Sequence, residues 1–291
     1  MSIIKKIQAS KNNEITISNS VKQISYGEHN IILINHPTCQ AAVSLQGAHL
    51  LYWQPSGEKT PIIWLSEEAL FKKQTPIRGG IPICWPWFGK NGDPMHGFAR
   101  IVDWQLVSHK ETADGIDLVL HLQSNEQTKK YWSKEFNLEL SLHVGKTCSA
   151  ELSSQGDFEA TTALHSYFGV TDITSVVVSD LGQEYIERLA KENRPKVDGQ
   201  MTFNQEVDRI YTQPENITLI KDANRTIKLT HINHSDIVTW NPWIEKAKAT
   251  QDLADDSYHH FVCVETCRIN KPIKSNSQQK TSYGLKIEIV K

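Results

Sequence analysis

Several features that mark large classes of proteins are missing from this sequence. No stretch of about 18 consecutive apolar residues occurs, so we expect no membrane span. The first six residues carry two lysines but lead into a largely polar segment, so a signal peptide is not expected. The five cysteines are odd in number and widely scattered, which is atypical of a disulfide scaffold. We therefore predict a soluble protein of the reducing cytoplasm.

Charge of one sign is also lacking. The 31 basic and 33 acidic side chains leave a formal net charge of −2, and they form no run of like charges along which a phosphate backbone could lie. Neither of the glycine-rich nucleotide motifs occurs, and the histidines and cysteines do not fall at the paired spacings of zinc sites. The sequence thus predicts no nucleic-acid partner, no metal and no nucleotide cofactor.

What the sequence does contain is a series of β-strand patterns. In residues 136–144 apolar and polar side chains alternate, so that one face packs and the other meets solvent. Helix signals are few, and Asn241-Pro242 predicts one surface helix from Trp243 to about Leu253. With no repeat and no linker, we predict one all-β sandwich domain over residues 1–291. Further strand segments are predicted at 14–17, 30–34, 41–43, 118–122, 217–220 and 285–290.

The densest candidate for a binding site is the segment 78–89, which begins with Arg78 and contains Trp85, Trp87 and Phe88 among prolines and glycines. Glycines let the backbone come close to a ligand, and aromatic rings such as that of Trp87 offer a flat apolar face to a sugar. A rigid buried corner would explain the same composition about equally well.

A second segment, 91–100, places His96 and Arg100 around a glycine and a phenylalanine after a turn. Arginine suits a planar grip on phosphate oxygens, so Arg78 and Arg100 are candidate anion anchors. Surface salt bridges are the alternative interpretation of both arginines.

Two strands contain the candidate acid–base groups. In 161–170, His165 shares a face with Ala163 and Tyr167, although a lone histidine among apolar residues is more often a hydrogen-bonded core residue. In 261–267, Glu265 shares a face with two cysteines, and a carboxylate in so apolar a strand is costly unless it is paired or functional. A buried salt bridge to an arginine is the alternative for Glu265.

Taken in order, these motifs resemble the aldose 1-epimerase superfamily and, within it, the D-hexose-6-phosphate mutarotase branch. The resemblance runs from about Ala42 to Val290. It rests on segment 78–89, His96-Gly-Phe-Ala-Arg100, Leu164-His165-Ser-Tyr-Phe168, Val207-Asp208-Arg209-Ile-Tyr211, Trp240-Asn-Pro-Trp243 and Cys263-Val-Glu265.

The resemblance implies a galactose-mutarotase-like β-supersandwich with an open sugar cleft on one sheet and no cofactor. It implies His165 as general acid and Glu265 as general base, with His96 and Asp208 at the sugar hydroxyls. Arg78 and Arg100 would hold a 6-phosphate. The expected partner is a small sugar phosphate, bound by a monomer or weak dimer.

The implied reaction is the interconversion of α and β anomers by ring opening and reclosure. We expect His165 and Glu265 to flank the pyranose from separate strands, and apolar surroundings to raise the pKa of the carboxyl group. A mutarotase for unphosphorylated aldoses, or a catalytically silent carbohydrate-binding or regulatory protein of the same fold, are the alternatives.

Overall fold

The computed structural model describes residues 1–195, 200–223 and 225–290, and for 192–195 it describes the backbone alone. Two α-helices lie within these residues, α1 (Ile3–Ala9) and α2 (Trp243–Lys248). Short 3-10 helices span Ala99–Ile101, Thr128–Lys130, Ile173–Ser175 and Ser257–His260. Neither α-helix in this part of the chain has the length and apolar character needed to span a bilayer.

Most of the regular secondary structure of the described residues is β-strand. The strands in chain order are β1 (Ile15–Thr16), β2 (Val21–Tyr26), β3 (His29–His36), β4 (Cys39–Ser44), β5 (His49–Pro55), β6 (Ile83–Cys84), β7 (Gln105–Glu111), β8 (Gly115–Gln123), β9 (Asn137–Gly145), β10 (Cys148–Gln155), β11 (Phe158–Leu164), β12 (Tyr167–Gly169), β13 (Val177–Ser179), β14 (Glu184–Glu187), β15 (Glu192–Pro195), β16 (Gln200–Met201), β17 (Val207–Tyr211), β18 (Ile217–Asp222), β19 (Arg225–Ile232), β20 (Asp236–Asn241), β21 (Phe261–Ser275) and β22 (Thr281–Val290).

These strands form three antiparallel sheets. The first has five strands in the order β1-β2-β3-β4-β5, and the second has nine in the order β16-β13-β18-β19-β22-β10-β9-β8-β7. The third follows the order β15-β14-β17-β20-β21-β11-β6, with β12 also paired to β21. The prediction of an all-β fold of antiparallel sheets is therefore confirmed.

A large apolar core lies between the nine-stranded sheet and the other two. Leu118, Leu140 and Leu285 point into it from the nine-stranded sheet, and Leu164 and Val264 from the facing sheet. Because successive side chains of a strand point to opposite faces, every second residue of the facing sheet points away from this core. The candidate site is built on that opposite side.

The predicted strand segments are confirmed with small differences at their ends. The predicted helix begins at Trp243 as expected but ends at Lys248 rather than near Leu253. The sequence reading missed α1, a seven-residue helix that buries Ile3 and Ile7 in a smaller core against the first sheet. The interpretation of residues 1–291 as one domain stays a prediction.

Candidate active site

A cavity of about 460 Å³ opens on the face of the third sheet that is turned away from the main core. Its lining combines charged groups with the apolar surfaces of Phe88, Val238 and Trp240. The charged and titratable side chains that line it include Arg78, His96, His165, Arg188, Asp208 and Glu265. Five of the seven residues predicted for the site therefore line this cavity, namely Arg78, His96, His165, Asp208 and Glu265.

The centre of the cavity is a direct contact between His165 and Glu265. In the ladder with β21, Leu164 pairs with Thr266 and Tyr167 pairs with Cys263, so His165 falls opposite Glu265. Cross-strand neighbours on one face have adjacent Cβ atoms. Their side chains meet with His165 Nε2 3.3 Å from Glu265 Oε1.

This geometry corrects one expectation. The two groups were expected to stand on either side of a pyranose ring, but a ring cannot fit into a gap of 3.3 Å. His165 lies between the end of β11 and the start of β12, and the register of these two strands against β21 places it beside Glu265 on the floor of the cavity. A ligand must therefore lie over the pair rather than between its members.

Glu265 is almost completely withdrawn from water. Its side chain is 1% exposed, and Oε2 is buried without a hydrogen-bond partner among the described residues. Burial, and then the charge of Asp208, raise the pKa of this carboxyl well above its usual range, while the charges of Arg188 and Arg100 oppose that shift. Among the described residues, the salt-bridge partner within reach of Glu265 is His165 and not an arginine.

His165 is nearly as buried, with 11% of its side chain exposed. Its Nδ1 has no hydrogen-bond partner in the described part of the chain. Burial lowers the pKa of His165 well below its usual range, and the neighbouring His96, Arg100 and Arg78 lower it further. Burial therefore favours the uncharged form of both members of the pair, a carboxylic acid beside a neutral imidazole.

His96 is held beside this pair by an unusual backbone conformation. Its φ of 65° lies in the left-handed region, which few residues other than glycine adopt. The His96 amide donates to Gly89 O at 2.8 Å, and Nδ1 accepts from the Gly89 amide at 3.3 Å. Since burial lowers the pKa of His96 to about 3, the ring is neutral and its proton lies on Nε2. His96 thus presents a hydrogen-bond donor.

Asp208 lies on β17 beside Trp240 of β20, on the same face as Glu265. Its Oδ1 is 3.4 Å from Nη1 of Arg188, whose guanidinium also lies over the ring of Phe88 at 5.7 Å. Burial raises the pKa of Asp208, and the charge of Arg188 counteracts part of that rise. The 3.4 Å contact is long for an ion pair, so both groups can still bind a ligand.

Arg78 is fixed at another wall of the cavity by two partners. Its Nε donates to Asp252 Oδ1 at 3.0 Å, and its Nη1 donates to the Tyr167 hydroxyl at 3.1 Å. Guanidinium has five N–H donors, so three are left for a ligand. Arg78 stays a candidate anion anchor.

Two predicted residues do not line the cavity. Arg100 lies behind it, where Nη2 donates to Met95 O at 2.8 Å and Nε is buried without a partner among the described residues. Trp87 packs against Phe98 on the side of the main core and donates from Nε1 to Pro94 O at 2.8 Å. The ring that reaches the cavity is Phe88, because neighbouring residues in this segment point to opposite sides.

Sequence reasoning missed several members of the site. Arg188 follows β14, and no motif marks it. Trp240 belongs to a quoted motif but had no role assigned, although its ring is 6.3 Å from that of His165. Lys90 and Lys246 add positive charge to the lining, and Lys246 is paired with Glu206. Among the described residues, no group of three or more His, Cys, Asp or Glu side chains is placed to hold a metal ion.

Comparison with known proteins finds relatives over most of this chain. Residues 30–288 match the family model described as aldose 1-epimerase. The chain is 43% identical over 271 residues to an Escherichia coli (strain K12) protein named "Putative glucose-6-phosphate 1-epimerase", covering 91% of this chain and 92% of that one. A Cenchrus ciliaris protein of the same name is 34% identical, with 85% and 80% covered.

Solved structures show the same architecture. The crystal structure of a "putative mutarotase" from Salmonella typhimurium has a TM-score of 0.96 at 40% identity and covers 99% of each chain. A galactose mutarotase-like protein from Clostridium acetobutylicum has a TM-score of 0.71 at 15% identity, with 93% of this chain and 98% of that one covered. The predicted galactose-mutarotase-like fold is thereby confirmed.

Proposed function

The chain belongs to the aldose 1-epimerase family, and on that premise we propose that it is a mutarotase that interconverts the α and β anomers of a hexose 6-phosphate, with glucose 6-phosphate as the expected substrate. The observation that carries this proposal is the contact between His165 Nε2 and Glu265 Oε1 on the floor of a cavity lined by several cations. Anomer exchange needs one group that removes a proton from the C1 hydroxyl and one that protonates the ring oxygen. Both oxygens are bonded to C1, so two side chains in mutual contact can reach both.

The proposed reaction moves one proton through the substrate. The reactive form is the ion-pair tautomer of the resting neutral pair, formed when the proton of Glu265 moves to His165 Nε2 across their 3.3 Å contact. Glu265, then a carboxylate, takes the proton of the C1 hydroxyl while the C1–O5 bond breaks, and O5 takes the proton of the His165 imidazolium. The open-chain aldehyde then rotates about C1–C2. Reclosure returns a proton from Glu265 to O1 and from O5 to His165, which restores both groups. Each such transfer contributes about 10²- to 10⁴-fold to the rate.

The burial of the pair supports these roles. The net charge of His165 and Glu265 together is the same before and after ring opening. Before ring opening the two groups form an ion pair, and after it, beside the aldehyde, both are neutral. Withdrawal from water disfavours charged groups, which is why the pKa of Glu265 is raised and that of His165 is lowered. Once the pair is in its ion-pair form, burial therefore favours the proton transfers that open the ring.

Sugar recognition is proposed for the groups around the pair. His96 presents a donor and Asp208 an acceptor, which suits the hydroxyl groups of a pyranose. The rings of Phe88 and Trp240 supply apolar surface for its C–H groups.

The 6-phosphate is proposed to bind at Arg78. The positive charge of Arg100, which does not line the cavity, would add to the electrostatic attraction. The charges of both arginines act on the reacting centre, since they lower the pKa of His96 and of His165. Arg78 lines the cavity and has N–H groups beyond those that bind Asp252 and Tyr167, whereas Arg100 does not line the cavity. We therefore expect Arg78 to make the larger contribution to phosphate binding.

The proposal is tested by following α-to-β exchange by NMR with glucose 6-phosphate, galactose 6-phosphate and free glucose in parallel. We expect exchange of the phosphorylated sugars at a much higher kcat/KM than that of glucose. Equal values for glucose and glucose 6-phosphate would indicate a mutarotase of unphosphorylated aldoses. No exchange with any of them would contradict enzymatic function.

We further propose that the protein acts in the cytoplasm as a monomer or weak dimer of one domain. All five cysteines are unpaired thiols, which is typical of proteins from a reducing compartment. Size-exclusion chromatography with light scattering tests the oligomeric state.

A further inference from the structure

Tyr167 contacts both the proposed general acid and the candidate anion anchor. Its ring lies against the His165 imidazole, and its hydroxyl accepts a hydrogen bond from Arg78. We propose that Tyr167 is a positioning residue that holds the anion-binding arginine and the catalytic imidazole in one fixed arrangement, so that phosphate bound at Arg78 changes the environment of His165. This inference rests on the proposed function, in which Arg78 binds the 6-phosphate and His165 transfers the proton.

The imidazole of His165 depends on ring contacts for its orientation. Its Nδ1 has no hydrogen-bond partner among the described residues, and Nε2 contacts Glu265. The Tyr167 ring is nearly parallel to it, with centroids 5.0 Å apart and planes at 13°. The rings of His96 and Trp240 meet it edge-on at 5.7 and 6.3 Å. The parallel ring of Tyr167 therefore restricts the tilt of the imidazole.

Arg78 depends on Tyr167 in a different way. The Asp252 carboxylate accepts from Nε and the Tyr167 hydroxyl accepts from Nη1, at 3.0 and 3.1 Å. Two partners on different nitrogens fix the plane of a guanidinium, and with it the direction of the N–H groups that remain. Burial raises the pKa of Tyr167, so the partner of Arg78 is a neutral hydroxyl group.

Tyr167 is itself held from several sides. It is buried, and Trp64 and Phe261 pack against it at centroid distances of 6.0 and 5.3 Å. Its amide donates to Gly80 O at 2.9 Å, and its backbone pairs with Cys263 of β21. The backbone of Tyr167 thus links the segment that carries Arg78 to the strand that carries Glu265, while ring packing holds its side chain in place.

The first test separates the hydroxyl from the ring. Tyr167→Phe keeps the ring stack but removes the acceptor of Arg78, so we expect inorganic phosphate affinity and the KM for glucose 6-phosphate to worsen about 5- to 15-fold. The kcat/KM for free glucose should change less than about twofold, because glucose makes no phosphate contact. Tyr167→Leu removes the stack as well, and kcat should fall about tenfold or more with both sugars.

The matched control is Tyr283→Phe. Tyr283 is also fully buried, and its hydroxyl lies 2.9 Å from Thr162 Oγ1, but it does not line the cavity. The substitution Tyr283→Phe should leave the KM values for both sugars and the affinity for phosphate unchanged. An equal effect of Tyr167→Phe and Tyr283→Phe would show a merely structural role and overturn the inference.

Two further measurements complete the test. Tyr167→Phe should add little to the loss caused by Arg78→Ala, since the two changes remove one interaction, and strict additivity would contradict the coupling. Phosphate should shift the imidazole NMR signals of His165 in the wild type and much less in Tyr167→Phe, and equal shifts would overturn the proposal. The NMR titration does not depend on turnover, so it decides the role of Tyr167 even if the wild type exchanges no anomers, a result that would refute the proposed function alone.

Discussion

Replacing Arg78 with alanine tests the anion site separately from the chemistry. Arg78 uses Nε and Nη1 for Asp252 and Tyr167, so its remaining N–H groups are the ones available to a phosphate. A hydrogen bond to a charged group contributes about 1.5–3 kcal/mol. Loss of one such bond should weaken binding of glucose 6-phosphate by about 10- to 100-fold. Free glucose should be affected far less, because it carries no anion.

The assay compares KM for the two sugars by NMR exchange kinetics, with Arg209→Ala as the matched control. Arg209 also donates from Nε to a partly buried carboxylate, that of Glu187 at 2.9 Å, but it does not line the cavity. The control should lose stability with little change in the ratio of the two KM values. Equal losses for glucose and glucose 6-phosphate in Arg78→Ala would refute the phosphate assignment and leave Arg78 a structural residue.

Three further predictions follow from the site and its surroundings. Because burial raises the pKa of Glu265 in the folded chain, the stability that this residue contributes falls as pH rises. The Tm of Glu265→Gln should therefore gain on that of the wild type between about pH 5 and pH 8, and a constant difference would contradict the shift. Because the pKa of Glu265 is raised and that of His165 is lowered, loss of the last proton of the pair, from Glu265, sets the falling limb of kcat/KM against pH. Arg188→Met removes the charge that most lowers the pKa of Glu265, so this falling limb should move to higher pH. An unmoved limb would assign that limb to another group. At Gly97, with φ +73°, an added Cβ would lie 2.0 Å from Trp85 O, so Gly97→Ala should lower stability by more than about 2 kcal/mol in thermal unfolding. Gly57→Ala has a similar φ but open space, so it should cost about 1 kcal/mol, and equal losses would refute the steric argument.

The fold was largely predictable because strand periodicity is a local signal. The alternation in 136–144 appears directly as buried Leu138, Leu140 and Leu142 on one face of β9. Helix α1 carries no comparable signal, because seven residues that bury only Ile3 and Ile7 are too short for a helical period to stand out. Its burial depends on the first sheet, which the local sequence does not reveal.

The residues of the site were predictable in part, but their geometry was not. Alternation correctly placed Glu265 on one face with Cys263 and Cys267, which pair with alternate residues of β20. That His165 lies directly opposite Glu265 depends on strand register, which a single sequence does not specify. The same holds for Arg188, a residue beyond the end of β14 that reaches the cavity only through the pairing of β14 with β17.

The most direct test of the central claim is the rate at which Glu265→Gln exchanges the anomers of glucose 6-phosphate at equilibrium, measured by NMR magnetisation transfer against the wild type. Glutamine has nearly the same shape but cannot accept the C1 proton, so the exchange rate should fall by about 10²- to 10⁴-fold while phosphate affinity and fold are retained. Exchange at a near-native rate would contradict the account and transfer the role of base to another acid of the cavity, with Asp208 as the first candidate.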